Sequence, residues 1–95
     1  MSNHFPKPKG EPVDHYWLVM RMAKATGVDL AQAMEEGDLT QADWAGVVDR
    51  CRSCGWERDG GGCGRWLDLQ VPGEAHVPGA CVNQTVFERL DERQA

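Results

Sequence analysis

The sequence has no apolar run that approaches the roughly 20 residues needed to cross a membrane as a helix. The first residues also lack the apolar segment that follows the charged start of a secretory signal. These two absences predict a cytoplasmic protein with no membrane association. In the reducing cytoplasm, cysteines seldom persist as structural disulfides, so another role for them has to be considered.

A basic excess is also missing. Ten basic side chains face fifteen acidic ones, and the net charge is -5. Proteins that bind nucleic acid normally present a basic field to the phosphates, so this balance predicts no nucleic-acid partner. Two short helices predicted on either side of Gly37 could form a helix-turn-helix. The second would carry Asp43 and Asp49, however, and phosphate repulsion disfavours that interpretation.

Catalytic signatures are absent as well. No nucleophile motif, phosphate-binding loop or dinucleotide fingerprint occurs, and the triple glycine at 60–62 lacks the strand, spacing and lysine that such sites need. The sequence therefore predicts a protein that is not an enzyme.

No alternating strand pattern and no internal repeat is present, which predicts an all-α fold. Residues 1–12 contain three prolines and two lysines and are expected to form a flexible N-terminal arm. Residues 13–95 are expected to form one helical metal-binding domain, a small bundle of four to five short helices. A core this small would benefit from a metal that staples it.

The expected helices follow from apolar spacing and capping residues. A first helix over about 13–25, with Gly27 as its C-terminal cap, would bury one apolar series, namely Val13, Trp17, Met20 and Ala23. A second would begin at Asp29, with Gln32 completing a capping box, and end at Gly37. A third, capped by Thr40 and Asp43, would bury Trp44, Val47, Val48 and Cys51. A brief turn near 65–69 and a closing helix marked by Val82, Val86, Phe87 and Leu90 would complete the fold.

What the sequence does contain is a set of four cysteines spaced C-x2-C-x8-C-x17-C, at Cys51, Cys54, Cys63 and Cys81. A Cys-x-x-Cys pair brings two sulfurs close enough for one metal, and two further thiolates complete four-coordinate ligation. The spacing therefore predicts one metal site with these four ligands.

Two alternatives stay open at this point. Each cysteine could be a small buried hydrophobic residue without metal, which suits Cys51 better than Cys54 or Cys63 in their polar, glycine-rich segment. A thioredoxin-like redox pair would need a helix N-terminus beside Cys51 and Cys54, whereas the pair lies at a predicted helix C-terminus.

Both an iron–sulfur cluster and zinc accept four thiolates. One Cys-x-x-Cys pair with two isolated cysteines favours a [4Fe–4S] cluster, which Trp56 and Trp66 could shield from solvent. Arg52, Arg58 and Arg65 could tune its charge or dock an acidic protein partner. The predicted function is electron transfer, or sensing of redox state, iron or oxygen. The alternative is one zinc ion in a protein-interaction module without redox activity.

The three histidines are expected to play smaller parts. His4 lies in the predicted arm and is expected to be solvated. His15 could cap the first helix, pack inside the domain or contact a partner. His76 lies between two of the cysteines and is expected to be a surface residue, because four thiolates already complete a site.

The ordered elements His-Tyr-Trp, Cys-x-x-Cys, Cys-x-x-Trp-Leu and Cys-x-Asn resemble those of domain-of-unknown-function family 6455, short proteins found mainly in alphaproteobacteria. The resemblance spans about residues 13–90. It implies a bacterial origin and matches the family's cysteines to Cys51, Cys54, Cys63 and Cys81. The chain departs from the family pattern in its longer "GWERDGGG" stretch and at Val82, where the family has proline.

Overall fold

A computed structural model describes residues 10–95, and these residues form an all-α domain. Residues 10–95 contain six α-helices and no strand. The helices are α1 Pro12–Thr26, α2 Leu30–Glu35, α3 Gln41–Arg52, α4 Gly55–Arg58, α5 Gly62–Asp68 and α6 Gln84–Gln94. The predicted all-α class is confirmed. The sequence predicted four to five helices, and the additional one is α4, a single turn for which no helix was predicted.

The predicted N-terminal arm falls mostly outside the described residues, which exclude 1–9 and therefore also His4. Gly10, the first described residue, is hydrogen-bonded to the end of α3. Its N–H donates to the Arg52 carbonyl at 3.1 Å, and its carbonyl accepts from Arg52 Nε at 2.8 Å. Helix α1 starts two residues later, with Pro12 in the first turn, where a missing N–H is tolerated.

Helix α1 occupies nearly the expected range but turns a different face inward. Its buried residues are His15, Val19, Met22, Ala23, Ala25 and Thr26. The prediction that Val13 and Trp17 lie in the core is wrong, because they are 60% and 59% exposed. Of the predicted series, Ala23 is buried and Met20 is partly buried against the core. Gly27 ends α1 in the left-handed conformation, with φ 78°, as its predicted capping role requires.

The next two helices begin at the predicted caps. Asp29 accepts from the Gln32 N–H at 2.9 Å, but the Gln32 side chain donates to Glu36 instead of returning to the cap, so the expected full capping box is not made. At α3 both halves of the box form between Thr40 and Asp43. The box satisfies the backbone N–H groups of Thr40 and Asp43 at the start of α3.

The core lies between α1, α3, α5 and α6. Helix α1 packs against α3 and α5. The largest fully buried side chains are Phe87, Leu39, Leu90 and Val47. The long segment between α5 and α6 is held against α1 by two backbone bonds, from the Gly73 N–H to the Lys24 carbonyl and from the Ala75 N–H to the Ala25 carbonyl, each at 2.9 Å. These two bonds hold residues 73–75 beside the end of α1, and the chain continues from there to α6.

None of the helices within residues 10–95 is long and apolar enough to span a lipid bilayer.

Candidate metal centre

The four cysteines line one cavity, although they are separated by up to thirty positions in the sequence. Cys51 is in the last turn of α3, Cys54 is the residue before α4, Cys63 is in the first turn of α5, and Cys81 is three residues before α6. The cavity has a volume of about 20 Å³. Since a cavity of about 10–15 Å³ already holds one water, the space suits a single atom-sized occupant. The fold thus brings the four predicted ligands to one cavity.

Local backbone geometry explains how the first two cysteines come to face the same cavity. The Cys54 N–H donates to the Cys51 carbonyl at 3.1 Å, which closes a tight turn directly after α3. This turn carries the chain from α3 into α4 within two residues. As predicted, Cys51 is buried on the inner face of α3 and Cys54 follows the end of that helix.

The glycine run brings the third cysteine to the cavity. Gly61 has φ 73°, a left-handed conformation that lets the chain reverse between α4 and α5. Gly62 follows, and a Cβ at this position would lie 2.6 Å from the Trp56 ring. Any larger residue at Gly62 would therefore push α5 away from α4 and displace Cys63. Helix α5 begins at Gly62, three residues earlier than the turn predicted near 65–69.

Burial decides the protonation of the thiols. Removal from water raises the pKa of Cys51 to about 12, and neighbouring Cys63 and Cys54 act in the same direction. Burial likewise raises the pKa of Cys63 to about 12, with the Glu57 carboxylate as the next cause. Burial raises the pKa of Cys81 as well, while a hydrogen bond from the Asn83 backbone N–H opposes the rise. Without a cation beside them, these groups are neutral thiols at pH 7.

The walls of the cavity are mainly apolar and come from three helices. Leu18, Val19 and Met22 belong to α1, Phe87 to α6, and Trp56 to α4. Trp66 lies against Trp56, with ring centroids 5.9 Å apart. Of the two tryptophans predicted to shield the site, Trp56 thus lines the cavity directly and Trp66 packs on it. The α1 and α6 residues were not identified from the sequence, because their approach to the cysteines depends on helix packing.

Two charged residues near the thiols were also missed. Glu57 lines the cavity, and its Oε1 accepts from the Gly64 N–H at 2.8 Å, next to Cys63. Arg21, from α1, lowers the Cys63 pKa and so opposes burial and Glu57. It also forms an ion pair with Asp68 at 2.7 Å. Nothing in the spacing of the sequence connects Arg21 with a cysteine 42 positions away.

The three arginines predicted to tune charge or to dock a partner all donate to backbone carbonyls. Arg52 donates to Gly10, Arg58 to Arg52 at 3.2 Å, and Arg65 to Gly60. They thus brace the chain around α4 and stand outside the set that lines the thiol cavity. Their predicted electrostatic role stays a prediction.

The described histidines stand apart from the thiols. His15 is buried, and its Nδ1 donates to the Glu11 carbonyl at 2.8 Å, so it packs at the start of α1. His76 is exposed, as expected of a surface residue. Neither lines the cysteine cavity.

The four cysteines line the cavity, but their side chains do not form a coordination shell. Within residues 10–95, no group of three or more His, Cys, Asp or Glu side chains is placed so that it could hold a metal ion. The donor set itself fits a metal, because four cysteines face a shared space with apolar walls. Ligation would require the side chains to converge on the centre of that space.

Within residues 10–95, six helices and a cavity lined by four cysteines define a small, cysteine-rich, all-α domain. The model of a family of unknown function, DUF6455, matches residues 6–93. The chain belongs to this family. No curated protein and no solved structure matches the sequence.

Proposed function

We propose that Cys51, Cys54, Cys63 and Cys81 ligate one metal centre, in first place a [4Fe–4S] cluster, and that the protein transfers electrons or senses redox state, iron or oxygen. One observation carries the proposal: thiols from four separate positions in the fold line the same cavity. Chance burial of small apolar side chains would distribute the cysteines through the core.

Four thiolates would saturate the centre, so the proposed role is not enzymatic: no position would be left for a substrate. A bound iron–sulfur cluster would supply reversible one-electron chemistry at a potential set by burial, charge and hydrogen bonds to sulfur. The apolar side chains of α1 and α6 would exclude water, and the Trp56–Trp66 pair would close the side of α4.

An exchange of electrons requires an accessible edge, and Cys81 provides the best one. It is only partly buried, whereas the other three cysteines are buried. Its neighbour Val82 lines the cavity and is 46% exposed. A protein partner that docked here would approach the centre through a single layer of side chains. Arg52, Arg58 and Arg65 would add positive charge for an acidic partner, and the net charge of -5 argues against nucleic acid.

The second candidate is a zinc-stapled interaction module, and the size of the cavity favours it. A volume of about 20 Å³ suits one ion. A four-iron cluster is larger than this space, so the cavity walls would have to move outward to admit it, whereas a zinc ion needs less room. Zinc has no redox chemistry, so in this form the centre would only stabilise the fold. Either centre fits a reducing cytoplasm, where we place the protein.

Purification without oxygen distinguishes the two candidates. We expect brown protein that contains iron and acid-labile sulfide, absorbs in the visible and bleaches reversibly with a reductant. Colourless protein with one zinc per chain and no sulfide would replace the cluster with the zinc module. Protein without either metal, from cells supplied with both, would overturn both candidates.

A further inference from the structure

Asn83 is a buried polar residue whose side chain points away from its own helix. It is only 3% exposed. Its Nδ2 donates to the Val47 carbonyl at 2.9 Å, and its Oδ1 accepts from Arg50 Nε at 2.8 Å. Both partners belong to α3, more than thirty positions earlier in the sequence. The side chain is therefore a link between the segment before α6 and the last turns of α3.

The position of Asn83 makes this link unusual. It is the N-cap residue of α6, where an asparagine side chain ordinarily accepts a hydrogen bond from the first turn of its helix. Here the side chain makes no such bond. The stabilisation normally gained at an N-cap is given up, and both polar groups of the amide are used on α3 instead. The position of Asn83 relative to two of the cysteines accounts for this arrangement.

Asn83 lies between the segments that carry two of the cysteines, Cys51 and Cys81. Val47 lies one helical turn before Cys51, and Arg50 is its immediate neighbour. On the other side, Asn83 is only two residues after Cys81 in the chain. Asn83 also lines the cysteine cavity. One residue thus joins the part of α3 that carries the first cysteine to the segment that carries the last.

We propose that Asn83 is a positioning residue that holds Cys81 against α3 and so completes the ligand set; this rests on the metal site proposed above. Cys81 has more need of such a residue than the other three. Cys51, Cys54 and Cys63 lie within thirteen consecutive residues between the end of α3 and the start of α5, whereas Cys81 follows a seventeen-residue connection. Residues that hold ligands in place typically contribute about 10- to 100-fold to metal affinity.

The test uses Co²⁺ alone as the probe, titrated into full-length metal-free protein under reducing conditions. Thiolate-to-cobalt absorption reports how many thiolates bind. N83D keeps the size of the side chain and the acceptor for Arg50, but it places an oxygen against the Val47 carbonyl. We expect N83D to bind Co²⁺ about 10- to 100-fold more weakly. We also expect a spectrum like that of C81S, with one thiolate fewer than the wild type.

T26V is the matched control. Thr26 is also buried and donates from Oγ1 to the Met22 carbonyl at 2.8 Å, but it does not line the cavity. Its loss should lower stability and leave the cobalt spectrum unchanged. A purely structural role for Asn83 predicts the same behaviour for N83D, and that result would overturn the proposal.

A second variant decides the question if N83D does not fold. R50M removes the donor to Asn83 Oδ1 at an exposed residue. Weaker cobalt binding by R50M supports the proposal, and unchanged binding overturns it. If the wild type itself shows no thiolate-to-cobalt absorption, the metal site fails and this inference fails with it. If wild type and N83D bind alike through four thiolates, only the positioning role is lost.

Discussion

The buried thiols are the residues whose chemistry depends most on what surrounds them. Cys51 and Cys63 have a pKa of about 12 because burial disfavours the thiolate. A metal cation reverses this preference, because it binds the thiolate form and releases the proton. Without a cation, the buried thiols are therefore protonated and unreactive. With a cation in the cavity, they would lose their protons and act as metal ligands.

The first prediction concerns the pH dependence of the metal-free protein. Both thiols have a folded-state pKa above the ordinary value of 9.0, so their contribution to stability is complete below pH 9 and is lost as the pH rises through about 12. Denaturant unfolding of chelator-treated protein should show this decline above pH 9. The C51S/C63S double variant, which lacks both groups, should decline less steeply. Equal slopes for the two proteins would contradict the assignment.

At the scale of the helices, α3 matters most to the site because it carries Cys51 and leads into Cys54. Its first turn is fixed by two reciprocal bonds: the Asp43 N–H donates to Thr40 Oγ1 at 3.1 Å, and the Thr40 N–H donates to Asp43 Oδ2 at 3.0 Å. These bonds satisfy N–H groups that a helix start otherwise leaves without a partner.

We therefore expect T40A to lower the free energy of unfolding by about 1 kcal/mol, the usual effect of removing a threonine cap. Urea denaturation monitored by circular dichroism measures the change. T85A is the control, since Thr85 is exposed within α6, and we expect a change within about 0.5 kcal/mol there. Equal effects of T40A and T85A would show that the cap does not stabilise α3.

The helices also show how far the sequence could predict the fold. The caps at Asp29 and Thr40 and the stop at Gly27 were predicted correctly, because each depends on residues within one turn. The inner face of α1 was not. Helix α1 carries apolar residues on more than one of its faces. Periodicity alone therefore could not show whether the face with Val13 and Trp17 or the face with Val19 and Met22 is buried. Packing against α3 and α5 decides it.

The exposed aromatic residues of α1 find partners of their own. Tyr16 contacts Trp17 edge to face, with ring centroids 5.1 Å apart, and Trp44 of α3 at 5.7 Å. Edge-to-face pairs of this kind stabilise beyond the area they bury. The aromatic residues thus join α1 to α3 at the surface, while the core-facing series meets the cysteine cavity.

For the molecule as a whole, the candidate site was predicted better than its surroundings. The spacing of four cysteines identified the ligand candidates, and the fold brings them to one cavity. Glu57, Arg21 and Asn83 were not identified as parts of the site. Their places depend on contacts between distant helices, and a single sequence carries no local signal for such contacts.

The central claim is that the four cysteines hold one metal centre. The most direct measurement is metal content per chain, determined for wild type and four single Cys→Ser variants purified side by side without oxygen. S53A is the matched control, because Ser53 is exposed and lies between two of the proposed ligands. We predict one centre per chain in wild type and S53A, and loss of most metal in C51S, C54S, C63S and C81S. A wild type without metal, or any of the four variants with full metal content, would contradict the claim.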